Sequence, residues 1–260
     1  MIISHRYRFI FIKTEKTAGT SIELALARIC GPEDVITPLV HQSDQALRDS
    51  LGPQYRHEQN YFIPWRYWTP LDFLRAIRRG RRPEFYHHIG ASEIRRFVAP
   101  EVWQNYFKFC VERNPWDKVV SKYAWWRELE RQYHDNPDLF RKTVGHTADQ
   151  VIWMIKHHPI GDQTLSQFIQ SGRANFVNGF NLYTIDGEIV VDQVIEFSRL
   201  SRELPELMLR LGIQDFPPLP RAKSGVRKEG QHYRELLGDA DRQKIARVFA
   251  REIAHFGYEF

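Results

Sequence analysis

The feature that most constrains this chain is a unit that occurs twice. A short apolar run ends in a polar turn, and a helical pattern begins at once. The first copy is the run Tyr7 to Ile12 (YRFIFI), the turn KTEKTAG, and the helical spacing of Thr20 to Ile29 (TSIELALARI). The second is Tyr106 to Glu112 (YFKFCVE), the turn RNP, and a long amphipathic pattern from Trp116 onward with Pro115 near its first turn. Strand, turn and helix in repeated succession predict an α/β fold with a mainly parallel central sheet flanked by helices.

The rest of the chain reads less sharply. Thr164 to Ser171 and Leu204 to Leu211 have helical spacing, and Asp239 to Phe256 reads as a closing helix. Asp186-Gly187 stands between alternating apolar residues in YTIDGEIVV, which predicts a tight hairpin, and Val191 to Phe197 leads into a core strand. Pro217 to Gln231 reads as a polar loop, and Gln42 to Arg82 as peripheral helices and loops. In that last segment the five arginines between Arg75 and Arg82 read as a solvated helix face. The 260 residues suffice for one substantial core, so residues 1–260 are expected to form a single domain.

Charge and cysteine content narrow the function. The chain carries 37 Lys and Arg against 32 Asp and Glu, a formal charge of +5. That modest excess suits an anionic ligand, but the basic residues form no stripe interleaved with stacking aromatics, so a nucleic-acid binder is disfavoured. Cys30 and Cys110 are far apart in apolar settings with no metal-type spacing, which predicts two buried reduced thiols and no metal. His157-His158 has no partner at ligand spacing. Charges interrupt the apolar positions of MIISHRYRFIFIKTEK, so neither a signal peptide nor a transmembrane segment is expected there, and the chain reads as cytoplasmic.

The turn KTAGTS has the chemistry of an anion cradle. A helix start offers unpaired N–H groups and the positive end of its dipole. Gly19 permits close backbone approach, Thr17, Thr20 and Ser21 add hydroxyls, and Lys16 adds a full charge. The lysine precedes the glycine, so the Walker A order is absent. In the second turn Arg113 ends the strand, and Ser121 falls two turns into the following helix, a pairing that can bind phosphate. An ion pair between Arg113 and Asp117 is the simpler structural reading of the arginine.

Together KTAGTS and RNPWDKVVSKY resemble the two cofactor signatures of the sulfotransferases, in particular the carbohydrate-type (family 2-like) branch. HHIGASEIRRF and the C-terminal segment HYRELLGDADRQKIARVFAREIAHFGYEF are similar to further segments of that family. Glu15 departs from it, standing where the family commonly has proline. The resemblance implies a P-loop-like three-layer fold and 3′-phosphoadenosine 5′-phosphosulfate (PAPS) as sulfuryl donor, with PAP as product and no metal. It implies that Lys16, Thr17, Ala18, Gly19, Thr20 and Ser21 hold the 5′-phosphosulfate, and that Arg113 and Ser121 hold the 3′-phosphate. Lys16 then stabilises the leaving group, and His88 is the base, with His87 and Glu23 as alternatives. The acceptor implied is a hydroxyl of a carbohydrate or glycolipid, for which Trp65, Trp68, Trp125 and Trp126 are candidate platforms. The rival readings are a nucleotide-binding module without catalysis and a P-loop-type kinase. The oligomeric state is not legible.

Overall fold

The computed structural model of the protein describes residues 1–145, 148–222 and 231–260. Its strands are β1 (Ile2–Ser4), β2 (Phe9–Ile12), β3 (Val35–Ile36), β4 (Phe107–Glu112), β5 (Thr184–Ile185), β6 (Glu188–Ile189) and β7 (Gln193–Glu196). The helices of the first half are α1 (Gly19–Ile29), α2 (Gln42–Ser50), α3 (Pro70–Arg79), α4 (Ala91–Phe97), α5 (Pro100–Asn105) and α6 (Pro115–Asp135). Those of the second half are α7 (Pro137–Val144), α8 (Ala148–His157), α9 (Leu165–Gln170), α10 (Leu200–Arg210), α11 (Tyr233–Leu236), α12 (Asp239–Val248) and α13 (Ala250–Phe256).

The fold is α/β, with a five-stranded sheet in the order β3-β1-β2-β4-β7. The sheet is mixed, which corrects the expectation of a mainly parallel one. β2, β4 and β7 pair in parallel, whereas β1 runs antiparallel to both β2 and β3. The difference comes from the first residues, a three-residue strand too short to show a pattern. The chain reverses over residues 5–8, with Arg8 at φ 55°, and Asp34 holds this turn by accepting from the amides of His5 and Arg6.

Alternation along the central strands explains why they read as continuous apolar runs. Phe9, Phe11, Phe109 and Val111 pack beneath α1 and α10, against Ile22, Leu26, Leu204 and Leu207. Ile10, Ile12 and Cys110 point to the other face, against Ile89, Ile94 and Tyr183. With both faces covered, no polar alternation survives in the sequence. Cys30 and Cys110 are buried and unpaired.

Several boundaries differ from expectation. α10 begins at Leu200, ahead of Leu204, because Leu200 shares the same buried cluster. The closing helix divides into α12 and α13 at Phe249, which is fully buried in the core cluster with α6 and α9. The hairpin forms as expected: β5 and β6 flank Asp186 at φ 53° and Gly187 at φ 86°, the two left-handed positions of a type I′ turn. Most of the expected loop Pro217–Gln231 lies outside the described residues.

Candidate functional site

β2 and β4 are parallel neighbours, paired from Phe9↔Phe107 to Ile12↔Cys110, so the turns that follow them leave the same edge of the sheet side by side. From there the chain goes two ways: β2 leads through α1 to β3, and β4 leads through α6 to β7 at the opposite end. Diverging connections open a crevice between two strand ends, the usual ligand position in an open α/β sheet.

The first turn is built by its neighbours. Thr14 Oγ1 donates to the Val111 carbonyl of β4 and shares a 2.9 Å hydrogen bond with Thr17 Oγ1, which also reaches the Thr14 carbonyl at 3.1 Å. Thr17 is fully buried, so its hydroxyl knits the loop to itself. Lys16 and Ala18 adopt φ 61° and 59°, a left-handed conformation that costs a non-glycine residue about 1 kcal/mol. Such left-handed residues turn peptide N–H groups toward one side and make a concavity for an anion. The N-cap of α1, Ala18, has no polar side chain to cap with, and among the described residues α1 shares this lack of a side-chain cap with α2, α4, α5, α10, α12 and α13, whereas capping boxes close α3 and α9 and asparagines cap α6 and α7. Among the described residues, no side chain accepts from the first-turn amides of α1.

Gly19 is needed for a reason that spacing does not show. A Cβ there would lie 2.6 Å from Cγ of Lys13, so the missing side chain makes room for the lysine stem. Threaded past Gly19, Lys13 pairs with Glu23 and lies 3.5 Å from Thr20 Oγ1. Glu23 is buried and also pairs with the amino group of Met1. Burial alone would raise its pKa, but the charge of Lys13 and that of the Met1 amino group outweigh it and hold the carboxyl at about 2. Ser21 Oγ accepts from the amide of Ala222 at 3.2 Å.

The second turn reaches the first through Arg113. Its guanidinium forks onto Asp117, with Nε at 2.8 Å and Nη2 at 2.7 Å, and Nη1 donates to the Lys16 carbonyl at 3.0 Å. Phe197, just past β7, lies 4.3 Å beneath it. The Arg113 amide donates to Glu112 at 2.8 Å, and Glu112 is fixed by a buried ion pair with Lys118 at 2.6 Å and by the Tyr183 hydroxyl at 3.0 Å. The ion pair with Asp117 is thus present, and the same side chain is attached to the first loop. Ser121, half-buried, stands one helical turn beyond Asp117 on the same face of α6.

One further turn along that face is Trp125. Lys16 Nζ lies 5.2 Å from its ring centroid, and Lys122 Nζ lies 4.8 Å from it. Lys122 also pairs with Glu15 at 2.6 Å, which offsets the acid beside the loop. Trp126, its neighbour, is a buried core residue. Lys13, Lys122 and the support that Trp125 gives Lys16 were missed by sequence reasoning. The four-residue spacing Asp117, Ser121, Trp125 was the available signal for the tryptophan.

His88 and His87 close the group. His88 Nδ1 lies 2.8 Å from the Lys13 carbonyl. A carbonyl only accepts, so Nδ1 carries the proton and the neutral ring presents Nε2 as a lone pair. Burial, then the charge of Lys13, lowers its pKa to about 3. His87, with its ring centroid 4.5 Å away, is lowered to about 2, by burial first and by His88 next. His88 and Arg113 are therefore both anchored to carbonyls of one short stretch, Lys13 to Lys16. Among the described residues no cluster of three or more His, Cys, Asp or Glu is arranged to hold a metal ion. Two cavities, of about 350 and about 340 Å³, lie elsewhere, one against Trp116, Arg242 and Phe260, the other against Phe180, Arg251 and Glu252.

No family model and no solved structure matches this chain. A stretch of 41 residues is 39% identical to an uncharacterized protein of Archaeoglobus fulgidus. The match covers 16% of this chain and 34% of that protein, about a third of its length.

Proposed function

We propose that this chain has a P-loop-like three-layer fold and is a sulfotransferase that moves a sulfuryl group from PAPS to a hydroxyl of a carbohydrate or glycolipid. The observation that carries the reading is the hydrogen bond from Arg113 to the Lys16 carbonyl, which joins the two turns whose sequences resemble the family's cofactor signatures. The uncapped start of α1, with its left-handed approach, fits a doubly charged phosphosulfate better than a helix start that needs only its own serine and threonine.

In this reading the α1 amides with Thr20 and Ser21 bind the 5′-phosphosulfate, and Arg113 with Ser121 binds the 3′-phosphate. Bound there, PAPS supplies an activated sulfuryl group. The protein's part is to orient the reactants, to stabilise charge on the leaving oxygen and to accept a proton from the acceptor. Lys16, lodged against Trp125, supplies the positive charge. Thr17 contributes through the shape of the loop, its hydroxyl being bonded to Thr14.

For the base, Glu23 is poorly suited, being buried in its pair with Lys13. His88 is better placed, because the Lys13 carbonyl fixes the tautomer with Nε2 open to a proton. Its pKa, lowered to about 3 by burial and by Lys13, makes the ring a weak base in the empty site, and an anionic nucleotide beside it would raise that basicity. The test is transfer of label from sulfur-labelled PAPS to a panel of sugars and glycolipids. Wild type is expected to label an acceptor, with His88→Ala slower by about 10²-fold or more and Lys16→Ala at background. Nucleotide binding without transfer to any acceptor would leave a binding module in place of an enzyme.

A further inference from the structure

Helix α3 runs against the logic of the surrounding fold. A surface helix ordinarily turns its apolar stripe to the core and its charges to water. Pro70, Phe73, Leu74 and Ile77 share one stripe of α3 at i, i+3, i+4 and i+7, and that stripe faces out: Phe73 is 42%, Leu74 51% and Ile77 80% exposed. The residue that faces in is Asp72, buried, which accepts from the amide and hydroxyl of Thr69 and pairs with Arg96 of α4.

The exposure is not that of an ill-formed end. A capping box at Thr69 and Asp72, Pro70 in the first turn and Gly80 at φ 62° define the helix at both ends. The turn just before it, Trp65–Tyr67, leaves Trp65 75% exposed. Trp68, which follows the turn, packs on Phe73 with ring centroids 4.9 Å apart and so ties the turn to the helix. Six arginines lie between Gln59 and Pro83 in the sequence, where the one acid is the buried Asp72, and Glu58 and Glu84 bound the segment.

We infer that this surface docks on an anionic lipid bilayer, with Trp65 and the α3 stripe at the boundary of headgroups and acyl chains and the arginines on lipid phosphates. An amphipathic helix with a basic rim and an interfacial tryptophan is the form such contacts take, and long arginine stems let the charges reach headgroups while the apolar stripe is buried. A fluid anionic surface covers the helix, the turn before it and the arginines at both ends together, whereas a protein groove fitted to the helix stripe leaves Trp65 and Arg66 outside. No described helix is long and apolar enough to cross a membrane, so the contact is peripheral. The inference does not depend on the sulfotransferase reading.

The test is flotation of the full chain with phosphatidylcholine vesicles, with and without phosphatidylglycerol, read together with tryptophan emission. The protein is expected to float with the anionic vesicles and not the neutral ones, with a blue shift. Ile77→Asp should weaken partitioning at least about tenfold. Arg75→Ala, Arg78→Ala and Arg79→Ala together should weaken it roughly a hundredfold, at about fivefold for each arginine. All four side chains are exposed, and unchanged melting of the variants checks that they fold. Failure to float with anionic vesicles at low salt overturns the inference, as does flotation that Ile77→Asp leaves intact. Self-association abolished by Ile77→Asp, without vesicle binding, would make the surface a contact between copies of this chain.

Discussion

Lys118→Met should destabilise the protein by about 3–5 kcal/mol, the range for breaking one side of a buried ion pair. Lys118 and Glu112 are each 1% exposed, with nitrogen and oxygen 2.6 Å apart. Methionine keeps most of the volume, so a cavity contributes little. What remains is a buried carboxylate whose other partners in the structure are neutral donors, the Tyr183 hydroxyl at 3.0 Å and the Arg113 amide at 2.8 Å. Urea unfolding measures the loss. The double variant Glu112→Gln with Lys118→Met should lose less than Lys118→Met alone, because the uncompensated charge has gone. A Lys118→Met protein within about 1 kcal/mol of wild type would refute the reasoning, since it would mean that the carboxylate finds water or another cation. Because Glu112 also holds the Arg113 amide, the same variant should, on the proposed function, weaken PAP binding.

Gly19→Ala forces Lys13 off its path, since the new Cβ would lie 2.6 Å from Cγ and 2.9 Å from Cε, and a loss of about 1–3 kcal/mol in urea unfolding is expected; an unchanged midpoint would show that the lysine moves freely. Acid should destabilise the fold through the histidines. His87 and His88 titrate near 6.5 when unfolded but near 2 and 3 when folded, so the unfolded chain binds more protons between those values. Their contribution is fully present above pH 6.5 and falls as pH drops toward 3, and Glu23, held at about 2 against an ordinary 4.5, adds its own loss from pH 4.5 downward. A urea midpoint that stays flat from pH 7 to pH 4 would contradict this, and His87→Asn should shallow the slope.

The parts of the fold that were legible in the sequence are those where local chemistry and tertiary environment agree. β2 and β4 show as apolar runs because both faces of each are covered, and Asp186-Gly187 shows because only certain residues tolerate two left-handed positions. β1 and β3, of three and two residues, are too short to carry a period, and without β1 the mixed character of the sheet could not be read. Of the five arginines expected on one helix face, Arg75, Arg78 and Arg79 lie on α3 while Arg81 and Arg82 follow its Gly80 cap, and which side faces the protein is decided by the bond that Arg96 donates to Asp72 across a gap of 24 residues.

The candidate site divides in the same way. Residue types in the two turns could be read directly, because an anion needs glycine, hydroxyls and cations close together. The partners of those residues could not. Glu15 looks misplaced beside an anion cradle until Lys122 is brought against it from 107 residues away. Trp125 and Trp126 are alike in sequence, yet about 100° of helix rotation puts one under Lys16 and the other in the core. Lys13 is one more charge near the loop until the absence of a Cβ at Gly19 gives it a route to Glu23.

The measurement that bears most directly on the central proposal is calorimetric titration with PAP and with AMP, for wild type, Arg113→Ala and Ser121→Ala. The account predicts that PAP binds far more tightly than AMP, and that both substitutions erode the difference while the AMP affinity changes little. Ser121→Ala guards against a purely structural effect at Arg113, whose side chain also holds the Lys16 carbonyl. If PAP binds wild type no better than AMP, there is no 3′-phosphate site between these two turns, and the proposal of a PAPS-dependent sulfotransferase is contradicted.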